Sequence, residues 1–167
     1  EIIFTYNDNG QLETETDPSG QVTRYTYDAV GRVKTVTDQA TGLVTEHHYD
    51  SLPSGIADPD PNIADNLKGR QTGQTVHLDA ETSYTTATTY YPDGQVKTAT
   101  DPRGNTTFFS YTPTTTTVRD ALNRETTTVR SESYVPTEVR FADGTTQTNK
   151  YLFDNNLQEA DEYPQVL

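Results

Sequence analysis

The chain of 167 residues contains no cysteine, no methionine and no tryptophan. The absence of cysteine excludes disulfides, thiolate metal sites and a cysteine nucleophile. Apolar runs extend over two or three residues only, far short of the roughly 20 that span a membrane as a helix. Because the sequence begins at Glu1 without methionine or an apolar signal segment, we expect a fragment or mature piece of a larger protein.

Positive charge is scarce. Twelve Lys and Arg stand against 25 Asp and Glu, which gives a net charge of -13. Repulsion of this size disfavours nucleic acid and anionic membrane surfaces as partners. Neutral polar and cationic partners remain compatible with the composition.

Apolar residues are also few, at 31% of the chain, and this fraction with the net charge is typical of disordered proteins. The residues that are present indicate otherwise. Eleven Tyr, five Phe and about one Thr in every five residues are β-sheet formers. We therefore expect a folded β protein in which tyrosine does much of the packing.

The chain repeats itself with a period of about 20 to 22 residues. Residues 6–20, 27–42 and 91–104 align, the third copy with a first turn one residue shorter. An aromatic residue follows the second glycine of a unit after seven residues, as Tyr151 follows Gly144. The residues that define the repeat are Tyr6, Gly10, Asp17, Gly20, Tyr27, Asp28, Gly31, Asp38, Gly42, Tyr49, Gly94, Asp101, Gly104 and Tyr111.

Each unit predicts two short strands and two turns. The segments between glycines alternate with period two, and the glycines stand where a tight reversal needs a positive φ. At Asn123 asparagine replaces the turn glycine, and asparagine tolerates the same backbone region. The prediction is an all-β fold of repeated hairpins within a single domain, 1–167, with Tyr27, Tyr49 and Tyr111 buried at equivalent places.

An insertion interrupts the repeat over residues 51–68. Its prolines exclude it from a β-ladder, and we expect a surface loop that the fold does not need but that carries any specific function. The loop contains a weak candidate for a calcium site, with oxygen ligands spaced along Asp58, Asp60, Asn62 and Asp65. It lacks the glycine and the bidentate glutamate of a calcium-binding loop. A solvated acidic loop is the alternative. We expect no other cofactor.

Motifs of enzymes are absent from the sequence. It contains no Gly-x-Ser-x-Gly elbow, no phosphate-binding loop and no His-Glu-x-x-His pair. We therefore expect no catalytic residues and no enzymatic activity.

The repeat resembles the YD repeat of the Rhs family. The resemblance rests on residues 27–33, YDAVGRV, with Asp38 and Gly42 after them, and on the aligned copies before and after. It implies a strip of β-hairpins that curves and spirals into part of a hollow β-shell, as in bacterial polymorphic toxins, insecticidal toxin complexes, wall-associated proteins and teneurins. In the toxins the shell encloses a C-terminal toxin. The cleavage motif that releases the toxin is absent here.

We accordingly expect a structural scaffold segment of a secreted or cell-surface protein, most plausibly bacterial. Its partners would be the rest of its own larger chain and an enclosed toxin domain. The alternative is a cell-surface module that binds carbohydrate or a receptor through the exposed sheet or the 51–68 loop. Open sheet edges also predict edge-to-edge self-association.

Overall fold

The computed structural model describes residues 1–63, 65–131, 133 and 135–149. Every regular element in this part of the chain is a β-strand, so the all-β prediction is confirmed. Contacts divide the chain into two compact units, residues 1–105 and 106–167. A single repeat domain over 1–167 stays a prediction, and Tyr151 lies outside the described residues. Among the described residues, no helix is long and apolar enough to cross a membrane.

Unit 1 contains eight strands, each antiparallel to the next along the chain. They are β1 Ile3–Tyr6, β2 Leu12–Thr16, β3 Val22–Tyr27, β4 Val33–Asp38, β5 Val44–Tyr49, β6 Gln71–His77, β7 Ser83–Tyr90 and β8 Val96–Thr100. Unit 2 contains five strands paired in the same way. They are β9 Thr106–Tyr111, β10 Thr115–Arg119, β11 Glu125–Arg130, β12 Pro136–Arg140 and β13 Thr146–Thr148.

Aspartates organise the turns between these strands. One carboxylate oxygen of Asp17 accepts hydrogen bonds from the backbone N–H of Ser19 (2.8 Å) and of Gln21 (2.9 Å), and Asp101 binds its own turn in the same pattern. The turn of Asp120 closes with Asn123 at φ 61°, in the left-handed region usually taken by glycine. The turn chemistry therefore survives the loss of a glycine.

A β-bulge precedes each repeat tyrosine of unit 1, at Tyr6, Tyr27, Tyr49 and Tyr90. The last of these corrects the sequence alignment, which began the third copy at Tyr91. Tyr90 is the equivalent of Tyr27, and Tyr91 lies where Asp28 lies, with its N–H bonded across a turn of the same length. The first turn of the third copy is therefore not shortened.

The tyrosine hydroxyls link successive repeats within unit 1. Each donates to the carbonyl of the residue that pairs with the preceding repeat tyrosine. The bonds run from Tyr27 to Leu12 (2.8 Å), from Tyr49 to Val33 (3.0 Å) and from Tyr90 to Gln71 (2.8 Å).

The prediction of buried tyrosine rings is wrong. Tyr27, Tyr49 and Tyr111 are half-buried. The buried side chains of the described residues all lie in the insertion and in β6 to β8, so the other strands of unit 1 have no comparably covered face. The rings therefore stabilise neighbouring repeats through their hydroxyl bonds as well as through partial burial.

Replacing Tyr49 with phenylalanine is expected to lower the free energy of unfolding by about 1 kcal/mol, because the Val33 carbonyl loses its donor. Urea denaturation followed by tyrosine fluorescence would measure the change. Tyr6→Phe is the matched control, since Tyr6 is 62% exposed and its hydroxyl has no acceptor among the described residues. Equal losses in the two variants would contradict the role given to the hydroxyl bond.

Arg32 joins two successive repeats of unit 1 through ionic contacts. Its Nε donates to Asp28 (2.7 Å), its terminal nitrogens donate to the two oxygens of Asp50 (3.1 and 2.6 Å), and its guanidinium lies 4.3 Å from the centre of the Tyr49 ring. Asp50 also accepts the Gly69 N–H (2.6 Å). The hydrogen bonds from Arg32, with that of Gly69, lower the pKa of Asp50 to about 2.

This depressed pKa predicts a pH dependence. A carboxylate whose pKa is lower in the folded state stabilises the fold above its unfolded pKa of 3.8, and the contribution is lost as pH falls toward 2. Titration of the Asp50 carboxyl by NMR should give a midpoint near 2, and Arg32→Gln should move it back toward its ordinary value. An unshifted midpoint in the native protein would contradict the ionic contact.

Candidate functional site: the insertion over strands β6 to β8

The insertion lies against the sheet rather than apart from it. Pro53 is buried, and a Cβ added to Gly73 of β6 would come within 2.6 Å of its ring and 2.4 Å of the Thr86 carbonyl. Glycine at position 73 is therefore what lets the proline and the neighbouring strand approach so closely. The expectation of a dispensable surface loop does not agree with this packing.

Hydrogen bonds hold both ends of the insertion. Thr72 Oγ1 donates to the Ser51 carbonyl at 2.5 Å, and Thr72 is fully buried. At the other end the Asn66 N–H donates to the Tyr90 carbonyl (2.9 Å), and its side-chain amide donates to the Pro92 carbonyl (3.1 Å). These bonds satisfy backbone groups that the missing ladder would otherwise leave unpaired.

The sheet face beneath the insertion is polar. Among the described residues of the strands the only buried apolar side chain is Ala87, and it lies beside the buried Thr89 and Thr98, whose hydroxyls bond each other at 2.8 Å. Buried hydroxyls must find partners because an unpaired one costs about 1–3 kcal/mol. The threonine pairs of adjacent strands meet that need.

Lys97 of β8 lies at the centre of this site and is only 1% exposed. Its ammonium group donates to the carbonyls of Asp60 and Ile63, both at 2.9 Å. It also lies 3.4 Å from the carboxylate of Asp58 and is in contact with Oδ1 of Asp65. The oxygens that surround the amine all belong to the insertion.

Two carboxylates therefore share one cation in a partly desolvated site. Burial raises the pKa of Asp65, and the negative charge of Asp58 adds to this effect, against the opposing influence of Lys97. Burial would lower the pKa of Lys97, but its bonds with Asp65 and Asp58 outweigh burial and raise it. The lysine is consequently held as the cation, and a proton is most easily accepted at Asp65.

Three of the four calcium candidates surround Lys97. Asp58 and Asp65 present carboxylates, Asp60 presents its carbonyl, and Asn62 is exposed. The lysine ammonium lies where a metal ion bound by these oxygens would lie. No group of three or more acidic or histidine side chains within the described part of the chain is arranged to hold a metal. Calcium binding stays a prediction.

The sequence analysis did not single out Lys97, because the same three-residue motif surrounds a solvent-exposed lysine elsewhere in the chain. Val96-Lys97-Thr98 repeats Val33-Lys34-Thr35, and Lys34 is exposed on β4. The difference lies in the insertion, which covers one copy and leaves the other in solvent. The remaining repeat residues are distributed along the strands and turns and form no common site.

Comparisons with known proteins agree with the repeat. The sequence model of a family described as RHS Repeat matches residues 6–42. A search of curated proteins finds no match. Two crystal structures, titled TcdB2-TccC3-Cdc42 and TcdB2-TccC3-TEV, each align over 88% of this chain with a TM-score of 0.63, at 15% and 16% sequence identity.

The aligned region amounts to 8% of the length of each of those chains. At this identity the likeness shows a shared fold and nothing further. The matched model and the fold likeness lead to one conclusion: residues 6–42 contain an RHS repeat, and the chain shares the fold of the two TcdB2-TccC3 structures.

Proposed function

We propose that this chain is a scaffold segment of a larger secreted or cell-surface protein, in which it builds part of the wall of a β-shell around a toxin domain. The observation that carries the proposal is the fold likeness to TcdB2-TccC3 chains over 88% of this chain, which is only 8% of their length. Because the segment matches only a small part of these much longer chains, we infer that it forms one part of a wall built by a longer chain.

The use of polar groups supports an architectural role. The hydroxyl groups of the repeat tyrosines donate hydrogen bonds to neighbouring repeats, as in Tyr27, Tyr49 and Tyr90. The carboxylates of the turn aspartates accept hydrogen bonds from their own turns, as in Asp17 and Asp101. Side chains committed to the sheet in this way are not available for chemistry on a substrate. We infer that the segment is not an enzyme.

Protease protection in the full-length protein tests the proposal. A closed wall should shield an enclosed domain, so limited proteolysis should cut that domain slowly. Gly73→Val should open the wall, since the added side chain meets the Thr86 backbone and Pro53, and the enclosed domain should then be cut rapidly. Lys34→Met, on the exposed part of β4, is the control and should preserve protection.

Equal rates of cutting of the enclosed domain in the Gly73→Val variant and in the native protein would contradict an enclosing wall. Binding of carbohydrate or a receptor, the alternative function, has no supporting contact among the described residues. It stays a prediction that a glycan array would test on the same preparation.

A further inference from the structure

A buried amine and a carboxyl group meet under the insertion. Lys97 is the only fully buried ionisable side chain of the described residues, and its Nζ is in contact with Oδ1 of Asp65. The second carboxylate, that of Asp58, lies 3.4 Å from the same nitrogen. A nucleophile, a carbonyl carbon and a group that can carry a proton are thus held in one enclosed place.

Lys97 and Asp65 form a close ion pair away from bulk water. Asp65 Oδ1 is buried and lies against the Lys97 amine. Removing two charged groups from water carries a desolvation cost even when they are paired. Condensation to a neutral amide would remove both charges from the site.

We propose that Lys97 and Asp65 condense into an intramolecular amide bond, with Asp58 as the group that carries the proton. The bond would join the insertion covalently to strand β8. It goes beyond the proposed scaffold function and depends only on the residues beneath the insertion.

The reaction balances without an oxidant or a co-reactant. Asp58 first accepts a proton from the Lys97 ammonium and passes it to the Asp65 carboxylate, and the free amine then attacks Cγ of the protonated carboxyl. The new C–N bond forms, the nitrogen gives up a second proton, and one C–O bond of the former carboxyl breaks. The departing hydroxyl takes up that second proton and leaves as water, so the overall change is the loss of one water.

Enclosure supplies what this condensation needs. Intramolecular reactants in good orientation reach effective concentrations of roughly 10⁵–10⁸ M, which favours an amide that free lysine and aspartate do not form in water. Desolvation also raises the pKa of Asp65, and a protonated carboxyl is a better acyl donor than a carboxylate.

The main resistance is the stability of the ammonium. The Asp60 and Ile63 carbonyls each accept one of its protons at 2.9 Å, and both favour the charged amine. The amide product keeps one N–H, which can still donate to one of these carbonyls. One carbonyl therefore loses its donor, while the desolvated charges of Lys97 and Asp65 disappear.

The intact mass of the native protein tests the proposal directly. We expect it to be lower than the sequence mass by one water, and protease digestion should yield a branched peptide that joins the segments around Lys97 and Asp65. Lys97→Arg keeps the positive charge but cannot condense, and Asp58→Asn keeps the shape but cannot carry the proton. Both variants should have the full sequence mass, whereas Lys34→Arg should retain the loss.

Succinimide at Asp93-Gly94 or Asp143-Gly144 would also release one water, so the readout must separate the two products. Hydroxylamine opens a succinimide and leaves a side-chain amide intact. A native protein of full sequence mass would overturn the proposal. So would a water loss that persists in Lys97→Arg or that hydroxylamine reverses.

Discussion

Replacing Lys97 with methionine is expected to lower the free energy of unfolding by at least about 3 kcal/mol, because Asp58 and Asp65 then face each other without their lysine partner. Breaking a buried ion pair from one side costs about 3–5 kcal/mol, and the lower end of that range sets the minimum since neither carboxylate is fully buried. Urea denaturation of the purified chain at neutral pH would measure the loss.

Two controls make this result specific. Lys34→Met changes the repeat-equivalent lysine in solvent and should alter stability by less than about 0.5 kcal/mol. The triple variant Lys97→Met, Asp58→Asn, Asp65→Asn should recover part of the loss, because no uncompensated charge remains. If Lys97→Met and Lys34→Met behave alike, the insertion does not depend on the lysine.

Replacement of residues 52–66 by a short Gly-Asn linker is expected to destabilise the protein by at least about 3 kcal/mol, because Lys97 loses two carbonyl acceptors worth about 1.5–3 kcal/mol each to a charged donor. The deletion also uncovers Thr72, Ala87 and Thr98. Circular dichroism against temperature would show a lowered melting temperature with strand content retained at low temperature.

The matched control for the deletion is Asn62→Gly, in the exposed part of the same insertion, and we expect it to change stability by less than about 0.5 kcal/mol. A deletion variant as stable as the native protein would reinstate the insertion as a dispensable loop. It would also show that the bonds of Asn66 to the β7–β8 region contribute little.

Local pattern predicted much of this fold. Strands alternate with period two whatever they face, and Asp17 and Asp101 shape turns through atoms only two to four residues away. Such features need no knowledge of distant residues. The same reasoning failed at Tyr91, because two adjacent tyrosines gave the alignment a choice that only the bulge at Tyr90 resolves.

Burial was not predictable in the same way. Tyr27, Tyr49 and Tyr111 have the residue type and spacing of a core, yet they are half-buried, because an aromatic on a strand is covered only where another element lies over it. Which strands are covered depends on where the insertion lies, and its proline-rich sequence indicates only that it is outside the ladder.

The sequence by itself determined the all-β repeat, the turns and the resemblance to the RHS repeat, because these follow from short-range periodicity and from glycine and aspartate chemistry. Only the tertiary structure decided that Lys97 is buried and paired with carboxylates. The sequence gives Lys34 and Lys97 the same neighbours, but 30 or more residues separate Lys97 from its insertion partners. Burial and charge pairing arise from contacts of that range, and they separate a solvated lysine from the one that anchors the insertion to the sheet.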